Sequence, residues 1–169
     1  ADNIFIGGAL ISQVLKEEGF ETGISLVEDK NYGLPSIVKN PKIMLPIDLL
    51  ILDGKIKQNI SFNGVPKNGN IVDINPDKIK ELENKTKKAR MILWNGPLCE
   101  SSAGFVLGTE KIIRAIAKTK AISIVGGGDT TEVISKLKLE NKFTFVSTGG
   151  GATLEYLAKG TLPGIKALR

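Results

Sequence analysis

The chain contains no histidine. That absence excludes a Ser-His-Asp or Cys-His nucleophilic mechanism within these 169 residues, together with any metal site that depends on imidazole. Cysteine is almost absent as well. Cys99 stands alone, so no internal disulfide forms, which fits a reducing cytosol. Aromatic residues are 5% of the chain, with a single tryptophan. Lys and Arg number 23 against 18 Asp and Glu, a net charge of +5, but the lysines are scattered over expected helix faces. Without clustering or interleaved aromatics they read as a solvated surface that mildly attracts anions, so no nucleic-acid partner is expected. No run approaches the ~20 apolar residues of a membrane span, and the first residues lack a signal-peptide pattern. The expectation is a soluble, cytoplasmic protein with no membrane partner. A strand-like Ile4-Phe5-Ile6 lies within three residues of Ala1, and Leu168-Arg169 ends as abruptly. A piece of a longer protein is therefore expected.

What is abundant is glycine, and its placement is informative. Ala121-Ile122-Ser123-Ile124-Val125 runs into Gly126-Gly127-Gly128-Asp129-Thr130, and Phe143 to Thr148 runs into Gly149-Gly150-Gly151. After each triplet the pattern turns helical. A strand, a glycine-rich turn and a helix together point backbone N–H groups at a phosphate. Glycine suits such a turn because a Cβ blocks close approach and many of the required backbone angles. The bland alternative is that glycine only permits tight strand-to-helix packing.

Strands and helices alternate along the rest of the chain. Ile4-Phe5-Ile6 leads into Gly7-Gly8-Ala9, then a helix from Leu10 that Gly19 is placed to stop. Strands are expected at Lys42–Pro46 and Leu49–Leu52, around a turn at Pro46-Ile47-Asp48. Residues 53 to 70, rich in turn residues, read as a hairpin-like excursion from the main sheet. Asn75-Pro76-Asp77 is expected to cap a lysine-rich helix from Lys78 to about Ala89. Arg90–Trp94 reads as a buried strand, and Ile112, Ile113 and Ile116 share one face of a helix over Thr109–Lys118. This alternation argues for an α/β fold with a mostly parallel sheet, three layers and doubly wound. Four strand ends then carry small-residue loops, and ligands bind at that edge of an open parallel sheet.

Asp129 has two readings: an N-cap of the following helix, or a carboxylate that holds Mg2+ between nucleotide phosphates. Thr130 offers a hydroxyl beside it, and Asn95 an amide to a phosphate. Glu100, near Ser101-Ser102, reads equally as a ribose ligand or an exposed carboxylate. Trp94 and Cys99 read as core fillers.

Five segments then occur in order: Ile6-Gly7-Gly8, Trp94-Asn95-Gly96-Pro97, Gly126-Gly127-Gly128-Asp129-Thr130, Ser147 to Glu155 and Leu162-Pro163-Gly164-Ile165. Together they resemble the C-terminal, nucleotide-binding half of phosphoglycerate kinase, over nearly the whole of Asn3 to Leu168, so residues 1–169 are expected to be a single nucleotide-binding domain. The resemblance implies Mg2+-dependent phosphoryl transfer between 1,3-bisphosphoglycerate and ADP, giving 3-phosphoglycerate and ATP in glycolysis. It implies Asp129 as the metal ligand and Thr130 as a phosphate ligand. Gly127, Gly128, Gly149 and Gly150 would lie along the transferring group, with Gly127, Gly128 and Gly150 catalytic in that sense. Asn95, Gly96, Pro97 and Gly126 would border the nucleotide, and Gly7 and Gly8 the adenine. A monomer is implied, with ADP or ATP as its partner. The positioning and charge neutralisation that phosphoryl transfer demands need no histidine.

Departures matter. Cys99-Glu100-Ser101-Ser102 replaces the family's usual segment, and Ser102 falls where the family places a ribose-binding Glu, leaving Glu100 or Ser102 for that contact. The family's Leu-Gly-Gly-Ala-Lys segment and its basic phosphoglycerate-binding domain would precede Ala1. The chain is therefore expected to be inactive by itself. Two other readings stay open: a nucleotide-binding module without catalysis, and a dinucleotide-binding Rossmann domain. The second is disfavoured because no Gly-x-Gly-x-x-Gly opens the first strand–helix unit.

Overall fold

A computed structural model describes residues 1–100 and 104–168. Strand β1 (Ile4–Phe5) leads into helix α1 (Ala9–Glu17), and a short helix α2 (Leu34–Val38) precedes β2 (Ile43–Met44), which pairs with β1 in parallel. Helix α1 forms because Ile11, Val14 and Leu15 recur on one face and are fully buried there. Gly19 ends it as expected. At φ 83° it donates to the Lys16 carbonyl at 3.0 Å, while Phe20 N–H reaches back to Leu15 at 2.9 Å. Both bonds satisfy carbonyls that the last turn leaves open.

The middle of the chain is antiparallel. Strand β3 (Asp48–Asp53) lies between β4 (Ile56–Ser61) and β5 (Gly69–Ile74), joined to β4 by a tight turn at Gly54. This is the excursion foreseen for residues 53 to 70, and Asp48, expected in the turn, opens β3. Helix α3 (Lys80–Lys88) begins later than expected, with Ile79 and not Asn75 at its N-cap. The Asn75 side chain instead accepts the Asp77 N–H at 3.0 Å, a local turn that delays the helix.

The second half builds the sheet that matters for function. Strands β6 (Met91–Asn95), β7 (Ile122–Gly126) and β8 (Phe145–Ser147) are parallel in the order β6-β7-β8. Helices α4 (Leu107–Ile116) and α5 (Gly128–Lys136) are the crossovers, and α6 (Gly150–Lys159) and α7 (Pro163–Ala167) follow. Ile112, Ile113 and Ile116 of α4 and Val133 and Ile134 of α5 pack on Val125, with Ile92, Trp94 and Val146 against them. Because side chains alternate along a strand, the other face carries Met91, Leu93, Ile122 and Phe145, between 46% and 59% exposed. The expectation of a wholly buried β6 is thereby corrected: the described residues cover one of its faces. No described helix is long and apolar enough to cross a membrane.

Candidate functional site

Register brings three strand ends to one line. Asn95 lies opposite Gly126, and Gly126 opposite Ser147. The loops after β6, β7 and β8 therefore open side by side, and Gly96 N–H extends the ladder by donating to the Gly126 carbonyl at 3.2 Å.

The glycines there divide into two kinds. A Cβ on Gly126 would lie 2.6 Å from Asn95 Oδ1. One on Gly150 would lie 2.8 Å from Gly127 Cα and 2.9 Å from Asn95 Oδ1. Gly127, at φ 100°, has the Gly96 nitrogen 3.2 Å from where its Cβ would be. These three let the loops interlock. At Gly128 and Gly151 an added Cβ meets nothing within 4 Å, and at Gly149 only ordinary contacts. Protein packing accounts for the first kind and leaves Gly128 without an internal reason.

Two buried polar atoms at this junction have no partner: Asn95 Oδ1 and Thr130 Oγ1. An unsatisfied buried acceptor or hydroxyl costs about 1–3 kcal/mol, so their clustering marks a place where something else belongs. Asn95 was expected to donate; the atom left open is an acceptor, so it awaits a donor. Asp129 does not cap α5. That position is Gly127, and Asp129 stands in the first turn with no ion pair among the described residues. The N-cap reading of Asp129 is thus corrected.

A cleft of about 610 Å³ lies in front of these loops, lined by Gly7, Gly8, Asn95, Gly96, Pro97 and Asp129. Gly8 faces the Pro97 carbonyl, 2.5 Å from where a Cβ would sit, so the loop after β1 presses on the loop after β6. Gly126, Gly127, Gly128, Thr130, Gly149 and Gly150 stand behind that wall or at its edge and do not line it. Glu100 does line it. Its Oε2 accepts the Asn70 amide at 2.9 Å, and its N–H donates to Val72 at 2.7 Å. Ser101 and Ser102 lie outside the described residues.

No group of three or more His, Cys, Asp or Glu among the described residues could hold a metal. One free carboxylate on the cleft nonetheless fits Mg2+, which takes one or two carboxylates and completes its shell from phosphates and water. The first turn of α5 adds N–H groups and a positive dipole end suited to phosphate oxygens.

One residue of the cleft wall escaped sequence reasoning. Asp73, on β5, is 2% exposed and has no cationic partner among the described residues. Its signal was a lone carboxylate inside the apolar run Ile71-Val72-Asp73-Ile74. Burial raises its pKa to about 6, against the lowering effect of hydrogen bonds from Gly108 and Ile74. The folded chain therefore holds this proton more tightly than the unfolded one, and its contribution to stability falls as pH rises from about 4 to about 6. At 1.36 kcal/mol per unit the loss is on the order of 2 kcal/mol between pH 4 and pH 7. Unfolding free energies of the chain from urea titrations, taken relative to Asp73→Asn over that range, should fall by this amount; a constant difference would contradict the assignment.

The family model for phosphoglycerate kinase matches residues 1–160. The chain belongs to the phosphoglycerate kinase family. It is 40% identical over 177 residues to the phosphoglycerate kinase of Borreliella burgdorferi, covering 98% of this chain and 45% of that protein. Against that of Staphylococcus aureus it is 39% identical over 178 residues, covering 99% and 45%. The structure of phosphoglycerate kinase from Coxiella burnetii superposes with a TM-score of 0.83 at 33% identity, covering 98% of this chain and 46% of that one. Phosphoglycerate kinase from Pyrococcus horikoshii gives 0.77 at 29% identity, covering 99% and 45%. The chain thus spans a little under half the length of the phosphoglycerate kinases it matches. The match bears out the α/β class, and the glycine-lined edge of β6-β7-β8 falls within the matched residues.

Proposed function

We propose that residues 1–169 are the nucleotide-binding unit of a cytoplasmic, monomeric phosphoglycerate kinase, acting on ADP and ATP with Mg2+. The observation that carries this reading is the interlocked junction of Gly126, Gly127, Gly150 and Asn95 beside Asp129 of the first turn of α5, at one end of a cleft of about 610 Å³. Phosphates would rest on the first turn of α5, with Thr130 Oγ1 turned to a phosphate oxygen and Asp129 holding the metal. When bound, Mg2+ neutralises phosphate charge. Gly7 and Gly8, packed against Leu98 and Pro97, would form the wall beside the base, and Glu100 stands at the rim where a sugar hydroxyl could be accepted.

In the reaction, the bond from the terminal phosphorus to the ADP oxygen breaks as one forms to a carboxylate oxygen of 3-phosphoglycerate; in reverse, the acyl phosphate gives its phosphoryl to ADP. No proton needs to move, so the lack of histidine is no obstacle. The work is positioning and charge stabilisation. Gly128 would serve it by letting the transferring group pass close to the backbone, while Gly127 and Gly150, occupied by packing of the loops on each other, would hold that backbone in place.

No lysine or arginine lines the described cleft wall. That supports a chain that binds nucleotide but does not turn over alone, with the cationic stabilisers and the 3-phosphoglycerate or 1,3-bisphosphoglycerate site supplied by further polypeptide. The same observation favours the second reading, a binding module without catalysis. A coupled assay separates the two. Joined to the remainder of a phosphoglycerate kinase, the chain should form ATP from 1,3-bisphosphoglycerate and ADP; a joined protein that binds nucleotide without turnover makes it a non-catalytic module.

A further inference from the structure

The Asp73 carboxylate joins elements far apart in sequence. Its Oδ1 accepts the Ile74 N–H at 2.8 Å, and its Oδ2 accepts the Gly108 N–H at 3.0 Å. Gly108 is the second residue of α4, a helix whose N-cap, Val106, offers no side-chain hydrogen bond. The carboxylate thus satisfies one of the N–H groups that a helix start leaves open, and does so from another element. Only glycine permits the approach: a Cβ at 108 would run into Asp73 Oδ1 and come within 2.9 Å of Ile74 Cγ1. The next residue carries the contact onward. Thr109, fully buried, accepts the Leu98 N–H on Oγ1 at 2.9 Å and pairs with Cys99 Sγ at 3.1 Å. Leu98 in turn fills the space beside Gly7, where a Cβ would lie 2.6 Å from its Cδ2.

We propose that Asp73 is a positioning residue: by holding the first turn of α4 it fixes the Leu98–Cys99 segment, and so the wall of the nucleotide cleft between Gly7 and Pro97. This rests on the nucleotide reading for its consequence in binding, and on geometry alone for the coupling itself. The carboxylate is kept at 2% exposure with no cation beside it among the described residues, and its two backbone hydrogen bonds offset part of that desolvation. Its raised pKa, about 6, leaves it charged near neutral pH and protonated in mild acid. β3 opposes it with Leu50, and α4 presents Gly108 and Thr109. The Cys99 thiol, the titratable group nearest it on the cleft loop, is pushed by burial to about 11. The Glu100 carboxylate is turned to Asn70. The Asp129 charge is felt at Cys99.

Amide NMR of the chain from about pH 5 to about pH 7.5 tests the coupling without ligand. Gly108, Thr109 and Leu98 should move in one step centred near 6, and that step should vanish in Asp73→Asn. Leu98 decides, because its N–H is bonded to Thr109 and neither Asp73 oxygen accepts from it. Calorimetric titration with Mg-ADP adds the functional readout. At about pH 7.5 Asp73→Asn should bind on the order of fivefold more weakly, the scale of one lost hydrogen bond. At about pH 5 the two proteins should bind alike, and protonation of the nucleotide cancels in the comparison. Leu98 without the common step, or equal affinities at the higher pH, overturns the proposal. Should Asp73→Asn not fold, the wild-type amides decide alone. Should neither protein bind Mg-ADP, the nucleotide reading fails while the Leu98 amide still decides the positioning role.

Discussion

Replacing Gly150 by alanine is expected to reduce Mg-ADP affinity at least a hundredfold. The added methyl would lie 2.8 Å from Gly127 Cα and 2.9 Å from Gly127 N and Asn95 Oδ1. Two of those three are backbone, so no rotamer change relieves the contact, and the loops after β7 and β8 must separate. Misplacement of this kind by about 1 Å costs on the order of 10²-fold where geometry governs phosphate recognition. The accompanying loss of stability should be about 1–3 kcal/mol, as for other overpacked sites. Gly151→Ala is the control one residue away: it meets nothing within 4 Å, lies at the exposed start of α6, and should bind normally. Calorimetry on both proteins, with thermal melts, reads the comparison. Equal affinities for Gly150→Ala and wild type would show that the junction does not shape the binding site.

The second large effect is expected at Asp129. Its side chain makes no ion pair or hydrogen bond among the described residues, so Asp129→Ala should leave the melting temperature nearly unchanged. What should disappear is the gain in ADP affinity produced by Mg2+. In the chain joined to the remainder of a phosphoglycerate kinase, turnover should fall about 10²–10³-fold, as when one fixed electrostatic stabiliser is removed. Asp129→Asn, which keeps the shape and loses the charge, should behave like the alanine variant. A Mg2+-dependent gain surviving in both would move the metal away from this carboxylate.

The triplets were legible because β-branched runs end at them and helical periods begin after them. Gly19 was legible for a similar reason: a left-handed residue ends an apolar helix face, and φ 83° is where glycine belongs. The edges of elements were less so. Asn75-Pro76-Asp77 carries helix-start chemistry, yet the Asn75 side chain spends its oxygen on Asp77 N–H and the helix waits until Lys80. Which face of β6 is covered depends on packing between distant segments, which Arg90–Trp94 alone does not encode. The cleft wall was hidden for the same reason. Asp73 and Gly108 are 35 residues apart, and Leu98 and Thr109 meet only once α4 folds back. The distinction among the glycines was also invisible: in sequence 126, 127 and 128 are equivalent, while in space two are crowded and one is open.

The openness of Gly128 is where packing stops explaining the sequence and a ligand begins to. A methyl there displaces no protein atom, so a change in nucleotide affinity without a change in stability would report the ligand directly.

The most direct test of the account is calorimetric titration of the purified chain with ADP, in the presence and absence of Mg2+, beside NAD. The account predicts that ADP binds, that Mg2+ tightens it, and that NAD does not compete. Binding of NAD but not of ADP would contradict it, and so would a chain that remains folded and binds neither.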